Sequence, residues 1–268
     1  MNRFSIAHTG EDKLDMIISF SGFDHPITCD DVGVSVVQIS NKAMFARICQ
    51  SLVSGRGEEA VEPYSVWKED GTEILSSRAF LPVIDAFNLP WKHKSLSGGL
   101  YKQFEKHLLM DEDDRRRVQQ LNEQLKSAVT QIGFQYHGEY GFGIEWSLQR
   151  YLNAFGFGVE LSPSASLFDN LISFIELTAD VGLSETLLFV NLKTFFTEKE
   201  LLEVYKKMVF YGINALLLEN HDAVMFNEFE RKTVIDQHFL QYEVVCQSES
   251  PSSSQGRICS NGFGAVTY

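Results

Sequence analysis

Two sets of side chains in this sequence have types and spacing that could do chemistry. The first is basic. Lys92, Lys94, Lys102 and Lys106 fall within a short stretch opposed only by Glu105. Three consecutive arginines, Arg115, Arg116 and Arg117, follow, with Lys126 beyond them. Point charges of this kind suffice to hold a phosphate backbone, and the chain carries no helix-turn-helix, zinc-finger or RNP signature that would read bases. The plainer reading of the same residues is the solvated side of amphipathic helices. The second set is a pair of carboxylates, Glu139 and Glu145, flanking a turn rich in glycine and aromatic residues. Hard oxygens on such a turn suit calcium, which accepts irregular geometry and roughly six to eight oxygens. No EF-hand pattern organises further ligands around them, so spacing alone favours two solvated carboxylates.

Other chemistries lack their defining residues. The phosphate loop GxxxxGK(S/T) is absent, and no GxGxxG opens a helix after a strand; Gly141 and Gly143 form no such loop. The apolar run TLLFVNL resembles the strand that in ATPases ends in a magnesium-binding Asp, but here it ends in Asn191. No GxSxG elbow appears, and His25, His93, His107, His137, His221 and His238 read as surface or packing residues. Cys29, Cys49, Cys246 and Cys259 show neither a CxxC pair nor histidines at zinc spacing, so they read as reduced thiols.

The elements that must position these residues fall into two styles. Met16 to Phe20 and the Val-rich Val32 to Ile39 read as strands. A helix follows with Ser40 as its cap, and YSVWKEDGTEIL reads as a hairpin about Asp70-Gly71. From Leu81 to Gly133 the pattern is mostly helical. Its last helix keeps Val118, Leu121, Leu125, Ala128 and Ile132 in one apolar stripe, behind acidic residues that suit a helix N-terminus. Beyond the joint Phe134 to Gly143 come IEWSLQRYLNAF as helix, GVEL as strand, ASLFDNLISFIELTADV as helix and TLLFVNL as strand. TEKELLEVYKKMVFYG as helix, INALLLEN as strand and HFLQYEVV as a last strand complete the order. Such βα alternation predicts an α/β fold with a mainly parallel sheet, and places Asn191 and Glu219 at strand C-termini, beside the usual ligand crevice. The expected domains are a head of residues 1–80 and 134–246, a helical insertion of 81–133, and a Ser/Gly-rich disordered tail of 247–268.

Charge separates the same regions. The 268-residue chain has a formal net charge of −13, which by itself disfavours nucleic acid. Between Lys92 and Lys126, however, eight basic residues face six acidic ones, a balance of +2, while the remainder carries 15 basic against 30 acidic residues. A basic face on an acidic body is the expectation. The N-terminal MNRFSIAHTGEDKLD has no apolar run after its first charge, so no signal peptide or membrane anchor is expected, and a cytoplasmic location follows.

Several segments together resemble one family. ITCDDVGVSVVQISNKAMFARIC, LPVIDAFNLPWKHKSLSGGLYKQFEKHL, YLNAFGFGVEL, LLFVNLKTFFTEKELLEVY, NALLLEN and DQHFLQYEV occur in the order found in the Csn-two family of type II-A CRISPR systems. The resemblance runs from about Met16 to Val245, with FVN, a Thr-led helix and LLLE as its clearest matches. It implies a head built like a degenerate P-loop NTPase and an inserted helical leg, assembled as a homotetrameric ring around linear double-stranded DNA. It further implies sequence-independent binding of DNA ends, no ATPase activity, and no nucleotide cofactor. The role implied is spacer acquisition and antiviral defence beside the CRISPR integrase and the effector nuclease. Calcium is implied at the head–leg junction, where Glu139 and Glu145 fall, although two extra residues and the surrounding glycines depart from the family's pattern. The leg's lysines and arginines would line the ring. Two alternatives stand beside this reading: a divergent P-loop-like NTPase, and a scaffold that binds only proteins.

Overall fold

The computed structural model describes residues 16–29, 33–222 and 228–244. The expected tail of 247–268 lies outside the described residues. In chain order, β1 (Met16–Phe20), β2 (Ile27–Cys29), β3 (Val34–Ile39), α1 (Lys42–Ser54), β4 (Tyr64–Lys68), α2 (Ser76–Ala79) and β5 (Phe80–Val83) lead into three helices. These are α3 (Lys94–Met110), α4 (Glu112–Gly133) and α5 (Leu148–Ala154). Then α6 (Leu167–Asp180), β6 (Thr186–Val190), α7 (Glu198–Tyr211), β7 (Ala215–Glu219), β8 (Glu230–Ile235) and β9 (Gln241–Val244) follow.

The main sheet has the order β5-β6-β7-β3-β8-β9, parallel throughout except for the last pair. Parallel strands need cover on both faces, and the side-chain period of two supplies it. Val34 and Val36 join one buried cluster, Val37 and Ile39 another; Leu187 and Phe189 lie opposite Leu188, and Leu217 lies opposite Leu216 and Leu218. On one face α6 and α7 contribute Phe174, Ile175, Val204 and Met208. On the other, α1 and a three-stranded antiparallel sheet, β2-β1-β4, contribute Ile48, Leu52, Ile18 and Val66. The expected mainly parallel α/β architecture is therefore present.

Local signals fix the helices. Ser166 with Asp169 and Thr197 with Glu200 form capping boxes at the starts of α6 and α7, each satisfying N–H groups that have no partner inside the helix. Asn41 caps α1, one residue after the expected Ser40, and Gly55 ends it in the left-handed conformation at φ 63°.

Two expectations are corrected, one holds in a shorter form, and one strand was not foreseen. The segment from Leu81 is not helical at its start, because Phe80–Val83 is the edge strand paired with β6. GVEL forms no strand; residues 158–161 run without secondary structure. The hairpin at Asp70-Gly71 is present in short form, with the Lys68 N–H on the Thr72 carbonyl, the Ile74 N–H on the Val66 carbonyl and a bridge between Trp67 and Glu73, while the other edge of β4 pairs with β1. Glu230–Ile235, not foreseen as a strand, is β8 and pairs with β3 along its whole length. Among the described residues no helix is long and apolar enough to cross a membrane.

Candidate nucleic-acid interface

The basic residues sit on α3 and α4, and each helix has a physical anchor. His93 begins α3, its ring nitrogen accepting the Ser95 N–H. Leu96 is fully buried in the cluster formed with α6, α7 and the main sheet, and Gly99 lies where a Cβ would stand 2.9 Å from the Val181 Cβ, so only glycine lets α3 approach α6 this closely. Lys94, Lys102 and Lys106 lie on another side of the helix from Leu96. At about 100° per residue they span roughly a third of the helix circumference, opposite Leu96 and Leu100. All three are exposed, as is Lys92 just before the helix.

One residue, Asp111, joins α3 to α4. It caps the new helix, accepting the Asp113 and Asp114 N–H groups at 3.0 Å each. Glu112, Asp113 and Asp114 then complement the positive end of the helix dipole. Arg115, Arg116 and Arg117 are exposed but not equivalent. Glu112 pairs with both Arg115 and Arg116 within the helix, and Glu123 holds the half-buried Lys126 at 3.6 Å. Among the described residues, Lys92, Lys94, Lys102, Lys106 and Arg117 form no ion pair. Exposed pairs such as Glu112 with Arg115 are worth about 0–1 kcal/mol, so a phosphate can displace them.

The apolar stripe expected on α4 exists, but the other described residues do not bury it. Leu121, Leu125, Val129 and Ile132 are 57%, 60%, 45% and 55% exposed, and no residue of α4 is buried. The joint adds Phe134, Tyr136 and Phe142, all more than half exposed.

Glu139 and Glu145 both lie on the exposed joint between α4 and α5, and the Glu145 carbonyl accepts from Arg150. Among the described residues no group of three or more His, Cys, Asp or Glu side chains is gathered as for a metal ion. Two exposed carboxylates fall short of a calcium cage. An ion held here would need backbone carbonyls, water or a second copy to complete its shell.

The ligand crevice at the C-terminal ends of the parallel strands is filled by the protein's own groups. Where a phosphate loop would stand, β3 and α1 are joined by Ser40 and Asn41 alone. The Ser40 N–H goes to the Ile235 carbonyl at 2.9 Å, and the Met44 N–H to Asn41 Oδ1 at 3.0 Å. Asn191 adopts φ 52° and ties β6 to β7, accepting the Asn220 N–H at 3.1 Å. Glu219 accepts the Lys193 N–H at 3.0 Å, capping the 3-10 turn that follows β6. Burial pushes its carboxyl up to about 7, against the opposing pull of that N–H and of the Lys193 charge. Lys193 itself is buried against Glu230, and burial holds its ammonium below the ordinary lysine value. Sequence reading placed Asn191 and Glu219 at this edge correctly but missed Lys193, in the turn after β6, and its partner Glu230, the first residue of β8. Their separation of 37 residues leaves no local pattern to find.

A family model described as CRISPR-associated protein (Cas_Csn2) matches residues 62–239. Among solved structures, the chain is similar to the crystal structure of Stu0660 of Streptococcus thermophilus. The identity is 13% over 82% of this chain and 74% of that one, with a TM-score of 0.52, a likeness that bears on fold alone. A putative ABC transporter ATP-binding protein from Pyrococcus furiosus (9% identity, 81% of this chain and 96% of that one, TM-score 0.36) resembles it too weakly to carry an argument. The same holds for the recombination mediator RecF with ATP (10%, 89% and 100%, 0.37). No curated protein matches.

Proposed function

The chain belongs to the CRISPR-associated family whose model spans residues 62–239, and from that premise we propose that it binds linear double-stranded DNA, ends included, without sequence preference, as a homotetrameric ring. In this reading it is a cytoplasmic, non-enzymatic partner of the CRISPR integrase and effector nuclease, acting in spacer acquisition and antiviral defence. The observation that carries the proposal is the two-sided character of the α3–α4 segment. On α3, Lys94, Lys102 and Lys106 are exposed and form no ion pair among the described residues, and on α4 Leu121, Leu125, Val129 and Ile132 make an exposed apolar stripe.

The two sides belong together physically. A balance of +2 on one chain is too small to hold a duplex against a body at −15. Copies joined through the α4 stripe would gain from burying leucine and isoleucine, about 1.5–3 kcal/mol per fully buried side chain, and would bring several basic faces to one axis. Sequence independence follows from point charges that contact phosphate and not base edges. The two-residue connection between β3 and α1, with the Ser40 N–H on the Ile235 carbonyl and Asn41 Oδ1 on the Met44 N–H, supports a non-hydrolytic role. Calcium enters this reading as a structural ion at the joint of Glu139 and Glu145, completed by groups beyond those two carboxylates.

The deciding experiment is a gel shift of linear against covalently closed duplex of the same sequence, beside light scattering of the eluted protein. A ring that threads ends retards the linear form alone and has the mass of four chains. Equal retardation of both forms would remove the ring, and no retardation at low salt would leave a protein-only scaffold.

A further inference from the structure

Gln38 and Glu219 stand side by side near the C-terminal ends of the two central strands, in register across β3 and β7. Both project to the face on which α6 and α7 pack. Val34 and Val36 precede the one at alternate positions on that face, and Ala215 and Leu217 precede the other. Each carries a buried oxygen without a hydrogen-bond partner among the described residues, Oε1 of Gln38 and Oε2 of Glu219. Neighbouring strands lie about 4.8 Å apart, so two side chains of this length share one space. An amide oxygen and a carboxylate oxygen are both acceptors, and neither satisfies the other unless a proton stands between them.

The surrounding groups narrow what can fill that space. Glu219 Oε1 already accepts the Lys193 N–H, and Lys193 Nζ is held by Glu230. From α7, Tyr205 lies within the field of both carboxylates, and from β8, Lys232 turns to Asp222 at 3.0 Å. His221 Nδ1 is 3.8 Å from Glu219 Oε2, beyond hydrogen-bond reach. A metal ion would enter beside two ammonium groups, and among the described residues no cluster of metal-ligating side chains gathers. A bridging water or a turned-over Gln38 amide would satisfy both oxygens, but would leave a full charge on a side chain that is 1% exposed.

We propose that below neutral pH Glu219 is a carboxylic acid whose Oε2–H is donated to Gln38 Oε1, and that loss of this proton turns the Gln38 amide over, a pH switch at the β3–β7 edge. Burial, which pushes the Glu219 carboxyl up to about 7, sets the change near neutrality. In the acid form one side-chain hydrogen bond ties the two central strands. In the ionised form Gln38 presents Nε2–H to the carboxylate, and the bond from the Lys193 N–H gains charge assistance. The switch thus trades a strand-to-strand tie for a firmer hold on the turn after β6. His221, whose side chain is 39% exposed, is the route by which the proton reaches water.

The test is infrared difference spectroscopy of the full chain between pH 6 and pH 8, which reads protonated carboxyl groups directly. The expected result is an acid band at pH 6 that is lost by pH 8 and is absent from Glu219→Gln. That variant carries an Nε2–H in place of the acid proton, so it should keep the stability of the original chain at pH 6. Gln38→Leu should retain the band and shift it to higher frequency, as for a carboxyl that donates to nothing. Gln38→Met gives the same reading should the leucine variant fail to fold, which circular dichroism checks. No Glu219-dependent band at pH 6 overturns the proposal, because a water or a turned amide then holds an ionised carboxylate. So does a band that both Gln38 variants leave in place, or one that persists at pH 8.

Discussion

Lys193 Nζ stands 2.7 and 2.8 Å from the two carboxylate oxygens of Glu230, with both side chains at most 1% exposed. The pair joins the turn after β6 to the first residue of β8, across the face on which α7 packs. Removing one partner leaves the other charge buried. Glu230→Gln is expected to cost about 3–5 kcal/mol in urea denaturation, and the double change Lys193→Met with Glu230→Leu should recover most of it. A single variant as stable as the original chain would show that the pair is not desolvated.

Glu219 gives a pH dependence of definite sign. Its folded value of about 7 lies above its ordinary 4.5, so the folded state binds the proton more tightly than the unfolded one. Its contribution is complete below pH 4.5 and is lost as pH rises through 7, a swing of about 3 kcal/mol at most. Urea midpoints at pH 5, 6, 7 and 8 should therefore fall more steeply in the original chain than in Glu219→Gln. Parallel curves would contradict the assignment.

The leg cations predict a graded fall in DNA affinity. Lys102→Glu, Lys106→Glu and Arg117→Glu should each weaken binding to every duplex alike and flatten the salt dependence by about one unit of slope for each phosphate no longer neutralised. Arg115→Glu and Arg116→Glu should do less singly, because Glu112 already engages both. A variant that changes preference among sequences would argue for base recognition.

The exposed stripe of α4 predicts assembly through it. Leu121→Asp with Leu125→Asp should lower the mass seen by light scattering while leaving circular dichroism unchanged, since neither side chain is buried within one chain. Unchanged mass would place the interface elsewhere.

Calcium at the joint predicts that chelator lowers the melting temperature, through removal of a ligand that binds only the folded protein. Glu139→Gln with Glu145→Gln should remove that sensitivity. A melting temperature and elution volume indifferent to chelator would dispose of the ion.

Much of the main sheet and its helices was legible because their signals are local. Thr197 and Glu200 stand three apart as a capping box, and LLLE and TLLFV are apolar runs too short for helices. The strand β8 was not legible. Glu230, Arg231, Lys232 and Thr233 make a polar run with no apolar alternation, and Lys193, arriving from a distant turn, compensates the burial of Glu230. GVEL erred in the opposite direction, since its alternation is real but the described residues offer it no neighbouring strand. The basic residues were all visible, whereas their inequality was not: Arg115 and Arg117 differ because Glu112 reaches one and not the other.

By itself, then, the sequence determined the alternation that makes a parallel sheet, the stripe on α4, and the separation of a basic segment from an acidic body. Each depends on neighbours within a few residues. The tertiary structure alone decided that Glu219 is buried at the strand C-termini, that Lys193 meets Glu230, that the α4 stripe remains exposed, and that residues 158–161 pair with no strand. Burial and pairing are set by which distant segments meet, and a sequence read along its length carries no measure of those distances.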